Sequence, residues 1–165
     1  MAESNDIYAS PRSTILSGKI SLIQNAPDST ILNSGANNGA KILSGSNESL
    51  AAGGGTIIYD SKNSIAFNTS TILSQSRHSV AFGGGEIKHS PYALLGTGNN
   101  NKIHGSIPST EGLYNTILNG AHNHIDASEN AFIGYGEYVI ISGSDNATIL
   151  SGDGQGNDRV QIDNS

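Results

Sequence analysis

"HSVAFGGGEIKHS", residues His78 to Ser90, is the stretch on which the fold turns. Val80, Ala81 and Phe82 are consecutive, so in a strand they point to alternate faces, and all three are apolar. Gly83, Gly84 and Gly85 stop the run, and one isoleucine, Ile87, follows among polar residues. A half-buried strand alternates apolar with polar residues. This one does not, so both of its faces call for cover.

The pattern recurs. Apolar-rich triplets begin at Thr14, Thr30, Leu50, Ile65, Val80, Ala93, Thr116, Ala131 and Thr148, spaced by 16, 20, 15, 15, 13, 23, 15 and 17 residues. Serine or asparagine usually precedes them, and glycine or a small polar residue usually follows. A second, weaker apolar patch sits in each unit: Ile20 with Leu22, Ile42 with Leu43, Ile57 with Ile58, Ile72 with Leu73, then Ile87, Ile103, Ile125, and Val139 with Ile141. Each unit reads as strand, turn, strand, turn, with no room for a helix. Such a coil cannot bury its own apolar side, but stacked coils share a continuous core. The spacing predicts an all-β parallel roll of about nine short coils over residues 13–152. Residues 1–12 read as an N-terminal leader, 97–114 as an inserted loop and 153–165 as a tail or last partial coil.

Composition agrees. Of 165 residues, 35% are hydrophobic, 5% aromatic and 13% charged, with 21 glycines and no tryptophan. That is poor material for a core of large side chains, yet too ordered in its apolar clusters for a disordered chain. The net charge of −6 disfavours nucleic acid and anionic membrane surfaces, and without cysteine there is neither disulfide nor thiolate metal site. No run approaches a membrane span, and "MAESNDIYAS" has neither the basic nor the apolar region of a signal peptide. The expectation is export by another route, or a piece of something longer.

Within each triplet, first and third positions share one face. A thin roll buries only one of its faces, and taking the third positions as inward leaves the middle ones outside. Ile15, Ile31, Ala51, Ala66, Ala81, Leu94, Ile117, Phe132 and Ile149 would then form an apolar stripe, of the kind soluble monomers avoid. Other copies of the chain are expected to cover it.

"SVAFGGGEIKHS" and "ENAFIGYGEYVIISGSDNATILSGDG" resemble the head repeats of trimeric autotransporter adhesins, the YadA-like left-handed β-roll. Ser79-Val80-Ala81-Phe82-Gly83 and Asn130-Ala131-Phe132-Ile133-Gly134 match that family's first strand, and Val139 to Ser144 its second strand and turn. Similar repeats occur in phage and bacterial fibres. The resemblance implies a left-handed roll, a homotrimer, an extracellular, cell-surface or fibre-tip location, and recognition of a host-surface protein or glycan.

Chemistry is sparse. His122 and His124, two apart in "HNHID", are expected to share a strand face, but the preferred reading is a polar turn beside Ile125. His78, His89 and His104 read as solvated turn residues. "SGDGQGNDRV" offers Asp153, Asn157 and Asp158 as oxygen ligands for calcium, but such sites need tandem copies and only one is present. No nucleophile elbow, phosphate loop or dinucleotide fingerprint occurs in its required setting. The glycine clusters Gly53–Gly55 and Gly83–Gly85 are expected to serve turns with positive φ. Lys102, Glu111 and Tyr114, in the long unit, are the candidate ligand-contact residues.

The expectation is therefore a non-enzymatic trimeric adhesin or fibre head segment, with no cofactor, no metal and no membrane insertion by this segment. A structural spacer in a fibre shaft is one alternative. A hexapeptide-repeat acyltransferase is another, disfavoured because it needs apolar residues every six positions and coils of 18.

Overall fold

The computed structural model describes residues 5–32, 39–54, 56–105, 113–153 and 160–163. It is all-β, a parallel solenoid of about eight turns with no helix among the described residues. Strands belong to two rows, and each pairs in parallel with the strand two places along the chain. The first row is β2 (Thr14–Ile15), β4 (Thr30–Leu32), β6 (Leu50–Ala52), β8 (Ile65–Phe67), β10 (Val80–Phe82), β12 (Leu94–Leu95), β14 (Thr116–Ala121), β16 (Phe132–Glu137) and β18 (Thr148–Asp153). The second row is β1 (Asp6–Tyr8), β3 (Leu22–Gln24), β5 (Lys41–Ile42), β7 (Ile57–Tyr59), β9 (Thr71–Leu73), β11 (Gly84–Lys88), β13 (Asn99–His104), β15 (His124–Asp126), β17 (Val139–Ser142) and β19 (Val160–Asp163).

The corner leading from second row to first has a compact sequence logic. It reads Ser-x-x-Ser at Ser10–Ser13, Ser46–Ser49, Ser61–Ser64 and Ser76–Ser79, with alanine at one end in Ala26–Ser29, Ser90–Ala93, Ser128–Ala131 and Ser144–Ala147. The third residue lies in the left-handed region: Arg12, Asp28, Glu48, Asn63, His78, Tyr92, Asn130 and Asn146 have φ between 52 and 60°. In six of them, all but Arg12 and Asn130, the amide points back to the preceding coil, as Asp28 N–H does to Pro11 O (3.1 Å). Two residues later the amide points forward, as Thr30 N–H does to Ser49 O (2.9 Å). The amide in between is taken by a side chain, Ser29 N–H donating to Ser13 Oγ at 3.1 Å. Ser49 N–H to Ser29 Oγ, Ser64 N–H to Ser49 Oγ, Ser79 N–H to Ser64 Oγ and Ala93 N–H to Ser79 Oγ continue the ladder, and Asn115 Oδ1 does the same for Ala131. Buried backbone groups that lose a partner are costly, so this ladder holds the coils in register.

The serine side chain points inward, and strand alternation then sends the middle residue of each triplet inward too. This corrects the expected faces. Ile31, Ala51, Ala66, Ala81, Ile117 and Ile149 lie in the core of their own chain, with Ile15 packed against it, so they cannot meet a second copy. Register also moves two triplets by one residue. Val80 pairs with Leu94 and Thr116 with Phe132, so the inward residues there are Leu95 and Ile133, while Leu94 and Phe132 face outward. Ala93 and Ala131 stand in the serine column rather than in the strand. Opposite them the second row buries Ile23, Ile42, Ile58, Ile72, Ile87, Ile103, Ile125 and Ile141; Ile23, not Ile20, is the inward residue of its coil, and Ile20 is exposed.

Boundaries shift as well. β1 pairs with β3, so the roll begins inside residues 1–12, and β19 pairs with β17, so the 153–165 segment contributes a further strand. The 97–114 insertion contains β13, which confines the extra length to the stretch between His104 and Leu113. Of the glycines Gly83–Gly85 only Gly83 has positive φ (80°). Gly84 and Gly85 lie in β11, and a Cβ on Gly85 would come within 2.7 Å of Asn101 O. Gly53 turns as expected, with φ 91°, and Gly55 lies outside the described residues.

The serine ladder yields a direct test. Ser64→Ala strands the Ser79 N–H and removes the donor to Ser76 O, and should lower unfolding free energy by about 1–3 kcal/mol. Lys62→Ala, on the exposed side of the same corner, should stay within about 0.5 kcal/mol. Urea unfolding followed by circular dichroism measures both.

Candidate functional site

Among the described residues, the outward face of the second row brings together two histidines and two carboxylates. Around the buried column Ile87, Ile103, Ile125 and Ile141, register sets two outward columns: Glu86, Lys102, His124 and Ile140 on one side, Lys88, His104, Asp126 and Ser142 on the other. The backbone under them is pinned by an asparagine ladder. Asn123 N–H donates to Asn101 Oδ1 (3.1 Å), and Val139 N–H donates to Asn123 Oδ1 (3.0 Å).

On this frame His104 Nε2 meets Glu86 Oε1 at 2.8 Å. A carboxylate only accepts, so Nε2 carries a proton, and the tautomer that can bind a ligand has its lone pair on Nδ1. The rings of His104 and His124 meet edge to face, centroids 5.1 Å apart, and His104 lies directly across from Asp126 in the ladder. One ligand atom each from His104, His124 and Asp126 fall within 4.8 Å of one another. His124 Nε2 is buried and has no hydrogen-bond partner. Beside His124 lies a recess of about 480 Å³, to which Lys102, His122 and Tyr138 contribute.

Burial holds the His124 pKa below the ordinary imidazole value, assisted by His104 and Lys102 and opposed by Asp126. His89 is likewise lowered by burial, then by Lys88 and His104.

The sequence-derived candidates are dispersed. His122 and His124 both line that recess, with Asn123 buried between them, but His122 takes a left-handed corner conformation (φ 56°) and stacks on Tyr138, centroids 4.8 Å apart. His78 stacks on Tyr92 at a corner, and Tyr92 on Tyr114 at 5.3 Å. Tyr114 is thus exposed in the corner column, whereas Lys102 lies on the flat of the second row between Glu86 and His124. Glu111 lies outside the described residues, as do Asn157 and Asp158, while Asp153 ends β18. The group His104, Asp126 and Glu86 was missed. Aligning the second patches on their buried isoleucines, "EIK", "KIH" and "HID", would have brought it together.

Proton titration by NMR checks the electrostatics. His124 should titrate below the ordinary imidazole value, lower still in Asp126→Asn and higher in Lys102→Gln. Because the folded pKa is the lower one, the stabilisation held by neutral His124 is complete above about pH 6.5 and is lost as pH falls through the folded value.

No family model, curated protein or solved structure matches this chain.

Proposed function

We propose that the chain is a non-enzymatic segment of a trimeric extracellular fibre or adhesin head, built from three parallel rolls. The observation that carries this reading is the outward face of the first row. Its first positions are Thr14, Thr30, Leu50, Ile65, Val80, Leu94, Thr116, Phe132 and Thr148, and its third positions Leu16, Leu32, Ala52, Phe67, Phe82, Gly96, Leu118, Gly134 and Leu150. None is charged in a chain of net charge −6. Leu16, Phe82, Leu118 and Leu150 are exposed, the last at 75%, and Phe67 stacks on Phe82 at 5.2 Å. Soluble proteins keep apolar patches of this extent for partners.

The occupant we favour is the chain itself. The strip is narrow, straight and repeats at the strand spacing of about 4.8 Å, so its partner must be equally long and carry the same repeat. A second and a third copy supply that surface, and no charged residue of the strip's first and third positions is buried by it. The corner column with Tyr92 and Tyr114 and the polar face of the second row then point outward in three copies, suited to recognition of a host-surface protein or glycan through avidity.

Sedimentation tests the assembly. The parent chain should run as a trimer at tens of micromolar, and Phe67→Asp with Phe82→Asp should give a folded monomer by placing six carboxylates in the interface. Lys102→Asp, on the other sheet, should leave the trimer intact. A monomeric parent, or a trimer that survives the double substitution, defeats the reading.

A glycan or matrix-protein array tests the display. Binding by the parent should fall at least tenfold in Tyr92→Ala with Tyr114→Ala, with sedimentation unchanged.

A further inference from the structure

We infer that His104, His124 and Asp126 form a binding site for a divalent transition cation of the zinc class, with Glu86 as the group that orients His104. This does not rest on the trimer reading, since all four residues belong to one chain and to three successive coils, β11, β13 and β15.

Four observations converge. The donor set, two imidazoles and one carboxylate with atoms inside 4.8 Å, is one that zinc-class cations accept, leaving a fourth position for water or a ligand. The Glu86–His104 contact at 2.8 Å is the carboxylate–histidine arrangement that fixes the tautomer of a ligating imidazole and raises its basicity. It leaves Nδ1 as the lone-pair nitrogen. His124 Nε2 is a buried polar atom with no hydrogen-bond partner, and such atoms are rare because they cost free energy. A bound cation would remove that cost. Finally, the carboxylates Glu86 and Asp126 together match a double positive charge.

Lys102 is the opposing feature. It pairs in register with Glu86 on one side and His124 on the other, and it is exposed. Its charge weakens the site without blocking it, because its long side chain is free to extend into water. Neither His122, stacked on Tyr138 at the corner, nor His89 belongs to the ligand set, which gives the test its internal controls.

The experiment is calorimetric titration of the intact chain with Zn²⁺ at pH 7.5, alongside Co²⁺ titration read by visible absorption. One equivalent per chain should bind, EDTA should reverse it, and Co²⁺ should develop the intense bands of a four-coordinate site. His124→Gln and Asp126→Asn should each weaken Zn²⁺ binding at least tenfold, and Glu86→Gln by about 10–100-fold. His122→Gln should leave affinity unchanged, and Lys102→Gln should raise it. Circular dichroism of each metal-free variant should match the parent, as all these side chains lie outside the isoleucine core. Absence of saturable binding by the parent overturns the inference. So does equal affinity in His124→Gln, or loss of binding in His122→Gln, which would place the ion at the corner.

Discussion

At each Ser-x-x-Ser corner the direction of hydrogen bonding reverses. The left-handed residue donates back to the preceding coil, the first strand residue donates forward to the next, and the amide between them has no backbone partner within reach. A serine hydroxyl from the coil behind satisfies it. The same hydroxyl donates onward: Ser29 Oγ gives its hydrogen to Ser46 O at 3.0 Å while accepting from Ser49 N–H. One small side chain therefore serves two backbone groups of the next coil. That coil must lie with its own serine above, and the rest of the register follows. Non-glycine residues in the left-handed region cost about 1–2 kcal/mol each, and the paired corner amides offset that cost.

With register set, the core has little freedom. Each coil offers one inward position per strand, and the second row fills eight of them, Ile23 to Ile141, with isoleucine. The first row varies, with Ala51, Ala66 and Ala81 in the middle coils and Leu95, Ile117 and Ile133 later. A fully buried isoleucine contributes about 1.5–3 kcal/mol. So slight a core has no room for tryptophan, which explains a composition that otherwise looks too polar to fold.

Much of this architecture is legible in the sequence, but its phase is not legible in the triplets alone. The triplets and second patches identify parallel stacked coils, because apolar residues recur in pairs at a spacing too short for anything but two strands and two turns. Leu16, Leu32, Phe67 and Phe82 then mislead, since their size suggests an inward third position. Parity is set by the serine before the triplet, whose hydroxyl must reach the buried ladder. Counting from Ser29, Ser49, Ser64 and Ser79 puts Ile31, Ala51, Ala66 and Ala81 inside. Ala93 and Ala131 hide the signal, because alanine fills the serine column without its hydroxyl and reads as a strand residue. The cluster around His104 needed register between coils of unequal length, which spacing alone does not supply.

Parallel stacking repeats every outward position as a column, so a charge on one coil stands about 4.8 Å from the equivalent residue on the next. Like charges at that distance repel by about 1 kcal/mol even in water. The two sheets meet this constraint differently. The first row leaves the columns at the first and third triplet positions without charge, which makes that part of the face apolar and prone to association. Glu137 and Asp153 stand side by side only at the far ends of β16 and β18. In the second row the charges mix sign within a column, with Glu86 beside Lys102, and Lys88 separated from Asp126 by His104. Mixing signs relieves the repulsion, and it also brings carboxylates and imidazoles to neighbouring rungs. The cluster of His104, His124, Asp126 and Glu86 is therefore the arrangement a charged face tends toward when its coils are held in register by serine.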